Sequence, residues 1–67
     1  MNMFKVKTEE MLVIIPYNVI KYIAYDVQRN ELEISFINAE ENNNLTLDIE
    51  YEYIAEAIDK FESWNNA

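Results

Sequence analysis

The chain carries thirteen carboxylates and five cations but no histidine, cysteine or glycine, and these absences bound what it can do. Histidine and cysteine perform most general acid–base and thiol catalysis, so those routes are closed. The hydroxyl nucleophile candidates are Thr8, Ser35, Thr46 and Ser63, and none has a recognisable base partner. Phosphate-cradling loops, dinucleotide fingerprints and nucleophile elbows need glycine for close backbone approach or an unusual φ, so none can be built. Two carboxylates could act as a glycosidase acid and base, but that chemistry needs a cleft, which one thin sheet and one helix rarely make. The expectation is a protein that is not an enzyme. Glu40, Glu41 and Asn42 to Asn44 place oxygen ligands in one loop, yet the loop lacks both the ligand spacing and the glycine of a calcium hand. No metal and no cofactor are expected.

The charge is unevenly placed. Of a net −8, residues 1–30 contribute +1, with Lys5, Lys7, Lys21 and Arg29 against Glu9, Glu10 and Asp26. Residues 31–67 hold ten carboxylates against Lys60 alone, a net −9. Direct binding of nucleic acid or of an anionic membrane by the second half is therefore disfavoured, and the expected partner is a basic protein surface. Met1 to Val6 lacks the apolar stretch of a signal peptide, and no apolar run nears the roughly 20 residues that cross a bilayer. These features point to a cytoplasmic protein, in the host cytoplasm if phage-encoded. Nine Ile, nine Asn and four Lys beside one Arg and no Gly hint at an A/T-rich genome, that of a low-GC bacterium or its phage.

The elements that must position any functional residue follow from hydrophobic period. A domain of 67 residues buries only about 60% of its unfolded surface and here has no disulfide or zinc to help, so its core must be dense. Phe4 and Val6 alternate with Lys5 and Lys7, which predicts a strand over about 3–7, and Thr8-Glu9-Glu10 turns the chain. Met11 to Ile15 is an apolar run stopped by Pro16, a second strand over about 11–15 followed by a turn at Pro16-Tyr17-Asn18. Further strands are expected over about 19–27, 31–37 and 44–50, the last two showing clean apolar–polar alternation around the polar loop Asn38 to Asn44. From Tyr51 the period changes to that of a helix. Tyr51, Ile54, Ile58 and Phe61 form its apolar stripe, with Ala57, Tyr53 and Trp64 on one flank, predicting a helix over about 51–64. The predicted class is α+β: an antiparallel β-meander of four to five strands, with one C-terminal α-helix packed on one sheet face as a single domain, 1–67. The layout resembles the broad class of small bacterial and phage meander-plus-helix proteins, in which a stretch like Ile15-Pro16-Tyr17-Asn18-Val19-Ile20-Lys21-Tyr22-Ile23 precedes a hairpin and a terminal helix.

Strand pairing turns the charge into a place. With Phe36 opposite Leu45, Ile34 faces Leu47 and Leu32 faces Ile49 on the helix side, while Glu33 meets Asp48 and Glu31 meets Glu50 on the other. A hairpin closed by Arg29-Asn30 sets Val27, Tyr25 and Ile23 beside Leu32, Ile34 and Phe36 and brings Asp26 next to Glu33, giving a row Asp26, Glu33, Asp48. A three-residue turn would set Tyr25 beside Glu33 instead, and the first register is preferred because it buries Ile23 and Val27. Like charges opposite each other cost stability. Such a face either keeps a small protein soluble or imitates a phosphate backbone, since carboxylates spaced about 7 Å along strands and about 4.8 Å across them match nucleic acid charges in scale. Tyr51, Phe61, Phe36 and Tyr25 read as core, and Tyr22 and Ile37 as outward and uncovered. Tyr53 and Trp64, on the helix flank, read either as rim packing or as interface anchors.

The expected partner-binding set is accordingly Asp26, Glu31, Glu33, Asp48, Glu50, Tyr22, Tyr53 and Trp64. The leading expectation is a small acidic protein-binding module, a phage or mobile-element inhibitor that mimics DNA to occupy the nucleic-acid-binding surface of a host or defence protein. The alternative is a homo-oligomeric structural or regulatory protein, a homodimer in the simplest case, that sequesters a small ligand between subunits.

Overall fold

The computed structural model describes residues 2–38, 40 and 43–67. Five antiparallel strands and one C-terminal helix make an α+β fold, in the order β1 (Met3–Lys7), β2 (Leu12–Pro16), β3 (Ile20–Asp26), β4 (Glu31–Phe36), β5 (Leu45–Asp48) and α1 (Ala55–Asn65). The strand order is that of a meander, but the strands divide into two sheets, β1-β2 and β3-β4-β5.

The first hairpin pairs Phe4 with Ile15 and Val6 with Val13, turning these four side chains to the core, and pairs Lys5 with Ile14 and Lys7 with Leu12 on the outer face. Its turn is held by Thr8, whose Oγ1 accepts from Met11 N at 3.0 Å and Glu10 N at 3.3 Å. Proline sits inside β2 rather than just after it. Tyr17 N donates to Asn2 O at 3.0 Å, so the next position back along β2 turns its N–H away from β1, where proline loses nothing. A single turn of 3-10 helix, Tyr17–Val19, then separates the sheets and buries Tyr17.

In the second sheet β3 pairs with β4 through Asp26↔Glu31, Tyr25↔Leu32 and Ile23↔Ile34, and an irregularity between Ile20 and Tyr22 leaves Lys21 without an opposite number. That bulge resets the alternation, so Ile20 and Ile23 both reach the core despite their odd spacing. β4 pairs with β5 through Glu31↔Asp48, Leu32↔Leu47, Glu33↔Thr46 and Ile34↔Leu45.

Both hairpin registers therefore differ by two residues from the sequence expectation. Asp26 Oδ1 accepts from Gln28 N at 3.0 Å and Arg29 N at 3.2 Å, and Asn30 takes a left-handed φ of 51°. These contacts close a four-residue connection, 27–30, in place of the two-residue turn. Val27 consequently lies at the turn, 75% exposed, rather than in the core. At this same end of β4, Ile49 N donates to Asn30 O at 3.0 Å, which continues the observed β4-β5 register past the strand ends and puts Glu50 beyond Glu31 rather than opposite it. Residues 39, 41 and 42 of the polar loop, and with them Glu41 and Asn42 of the oxygen-rich stretch, lie outside the described residues.

The helix begins later than its period suggested. Tyr51–Tyr53 forms a separate 3-10 turn and α1 starts at Ala55. Tyr51 is thereby rotated out of the apolar stripe and is 47% exposed, whereas Ile54 and Phe61 are buried as expected. α1 packs against β1. The core is the cluster of Phe4, Val6, Ile15, Tyr17, Ile20, Leu32, Ile34, Leu47, Ile54 and Phe61, drawn from all five strands, the first 3-10 turn, α1 and the residue before α1.

Candidate functional site

The two-residue shifts move the acidic row without abolishing it. Glu31 sits directly opposite Asp26 on one side and Asp48 on the other, so the row across the three strands is Asp26, Glu31, Asp48. Neighbouring strands lie about 4.8 Å apart, which places three carboxylates side by side at the end of the sheet nearest the 27–30 turn. Like charges so placed repel, and the sheet tolerates them because Asp26 and Asp48 are exposed and Glu31 is only half-buried.

Glu33, expected at the centre of that row, is flanked instead by Ala24 and Thr46. Its Oε1 accepts from the Tyr22 hydroxyl at 2.9 Å and from Asn44 Nδ2 at 3.0 Å. Neutral neighbours and two donors make it a structural carboxylate that ties β3, β4 and the start of β5 together. Tyr22 is outward as expected but its hydroxyl is committed to Glu33. Asp26 likewise has a structural task in the turn, and Arg29 approaches its Oδ2 only at 3.9 Å with both side chains largely in solvent, a pair worth little.

Behind the row stands Tyr25. Its hydroxyl donates to Ile49 O at 2.7 Å and its ring meets Tyr51 edge-on, with centroids 5.3 Å apart. Burial pushes the phenol above its ordinary pKa of 10.0, the Tyr51 backbone opposes that, and the nearby negative charges of Glu50 and Asp26 add to it. Those two carboxylates therefore share a neighbour, and Glu50 joins the acidic end of the sheet even though it pairs with nothing on β4.

The two aromatic candidates part company. Tyr53 is 70% exposed on the short 3-10 turn. Trp64 is 37% exposed and packs on Tyr17, with centroids 5.3 Å apart, and on Phe61 at 6.0 Å. Sequence reading put Tyr17 in a turn and so missed this trio; the signal available was a large aromatic directly after proline in a chain short of core. Beside Trp64 lies a shallow, widely open cleft of about 420 Å³ between the N-terminal segment and α1, lined by Glu56, Asp59 and Lys60 among others. Glu56, Lys60 and Trp64 recur every four residues, a spacing that puts them on one helix face and was visible in the sequence.

Among the described residues, no group of three or more acidic side chains is placed to hold a metal ion, and no helix is long and apolar enough to cross a membrane. No family model, curated protein or solved structure matches the chain.

Proposed function

We propose that this chain is a small, non-catalytic acidic module that binds a basic protein surface through the end of the β3-β4-β5 sheet. The observation that carries this reading is the row Asp26, Glu31, Asp48 on three adjacent strands, reinforced by Glu50 and set in a half-chain of net −9. Neither the Glu31 nor the Asp48 side chain makes a hydrogen bond or ion pair among the described residues, so their charge is available to a partner. The surfaces such a row fits are those evolved for phosphates, which makes a phage or mobile-element inhibitor of a nucleic-acid-binding or defence protein, acting in the host cytoplasm, the best-matched role.

The test is affinity capture with wild-type protein and with Glu31→Lys/Asp48→Lys as bait, at low and high salt. Partners held by the wild type should be lost by the variant, released by added duplex DNA, and weakened steeply by salt. Undiminished binding to the charge-reversed bait would sink the electrostatic reading.

One observation favours a second reading, a homo-oligomer enclosing a small ligand. Leu12 is 60% exposed beside Met11 and Ile14 on the outer face of the first hairpin, where β2 has no second strand neighbour among the described residues. A strict monomer by light scattering at micromolar concentration removes it.

A further inference from the structure

The cleft beside Trp64 has a chemistry of its own. Part of its lining is aromatic: Trp64 packs at a tilt of 48° against buried Tyr17, which meets Phe61 edge-on at 5.3 Å, so the indole is backed by two packed rings. The same helix, α1, lines the cleft with charge, through Glu56, Asp59 and Lys60. Lys60 Nζ lies 3.1 Å from Glu56 Oε1, so the cleft's own cation is matched by one of its two carboxylates. Asp59 is left with no ion pair among the described residues. A partly exposed indole and an unmatched carboxylate lining one hollow attract a cation that can lie flat, because the ring quadrupole and the carboxylate can act on the same group. A guanidinium satisfies both demands at once, being planar for stacking and forked for two parallel hydrogen bonds, while an ammonium satisfies only the charge. Asn2 adds polar lining at the mouth.

We infer that this cleft receives an arginine side chain of the partner protein, stacked on Trp64 and paired with Asp59. The inference rests on the acidic-module reading for the partner's basic character, but it concerns a different surface from the sheet end. It makes Asp59 and Trp64 the specificity determinants and gives Lys60 the role of an internal competitor.

Trp64 is the sole tryptophan, so its fluorescence reports the cleft directly. The experiment titrates the full chain at low salt with N-acetyl-arginine amide, and in parallel with its neutral isostere N-acetyl-citrulline amide and with N-acetyl-lysine amide. Saturable change with the arginine probe is expected, weaker by about tenfold with the lysine probe and absent with citrulline. Asp59→Asn, an exposed substitution, should weaken the arginine probe about fivefold, the effect of losing one partly exposed charge-assisted pair. Lys60→Ala should tighten it about twofold to threefold by freeing Glu56, a gain that unfolding cannot imitate. Equal responses to arginine and citrulline, no saturable response, or indifference to both substitutions would overturn the proposal. If the titration fails while partner capture still depends on Glu31 and Asp48, the cleft assignment falls and the acidic module stands. If the cleft takes arginine while capture ignores Glu31 and Asp48, the reverse holds.

Discussion

Individual residues solve problems here that other small domains give to glycine. With no Gly in the chain, the two left-handed positions, φ 51° and 63°, fall to Asn30 and Asn38, the residue type that tolerates this region best after glycine. Asn38→Ala should cost about 1 kcal/mol in urea denaturation, while Asn38→Gly should be near neutral, the contrast isolating backbone strain from lost side-chain contacts. Tyr25 couples residue to pH. Its phenol pKa is raised in the folded state, chiefly by burial, so the native protein holds that proton more tightly than the unfolded chain. The stability this contributes is complete below the ordinary tyrosine value of 10.0 and is lost as pH rises through the higher native value. Thermal melts above that pH should fall for the wild type, and Tyr25→Phe, less stable at neutral pH for want of the bond to Ile49, should show a shallower alkaline decline.

Each strand contributes one face to a single core, and that sharing makes the elements interdependent. Ile34 is fully buried at the centre of the middle strand, with Ile23 on one side and Leu45 on the other. Ile34→Val should lose about 0.5–1.5 kcal/mol and Ile34→Ala about 2–5 kcal/mol, measured by urea unfolding. A domain of this length holds only about 3–10 kcal/mol in total, so the alanine variant should be largely unfolded near the lower bound. The element types and most of their limits could be read from the sequence, because alternation and helical period are local properties. The bulge at Lys21 could not, since it shows only as two inward isoleucines at an odd spacing, which a continuous apolar run such as Val19 to Val27 disguises. The 3-10 turn at Tyr51–Tyr53 was hidden for a similar reason: its apolar residues continue the helical stripe while its backbone does not.

At the scale of the whole molecule the balance of charge decides behaviour. Thirteen carboxylates against five cations repel one another more in the compact state than in the unfolded chain, and only two ion pairs, both exposed, offset that among the described residues. Raising salt from about 0.01 M to about 1 M, which shortens the screening length from about 30 Å to about 3 Å, should therefore raise Tm. A relief of roughly 1 kcal/mol corresponds to about 4–8 °C in a domain of this size. Glu31→Gln/Asp48→Gln should melt higher at low salt and respond less to added salt, since the row is where like charges stand closest. A row that costs stability and could be neutralised without touching the core is the strongest reason to assign it a partner.

The sequence alone determined the fold class, the order of the elements, the inward faces of β1, β4 and β5, and the absence of the residue types that most catalysis needs. It also located the acidic surface on the outer side of β3, β4 and β5. What it could not determine was register. Side-chain direction in a strand repeats every two residues, so a slip of two leaves the residues that stay paired on the face they had, apolar ones toward the core and carboxylates outward. Burial patterns are blind to that slip. Only the tertiary contacts decided it, through the Asp26 side chain on the backbone of Gln28 and Arg29, the left-handed Asn30, and the bond from Ile49 N to Asn30 O. The same contacts exchanged Glu31 for Glu33 at the centre of the row. The packing of Tyr17 under Trp64 was likewise beyond local pattern, because the two residues are far apart in the chain and meet only when the first hairpin lies against the helix.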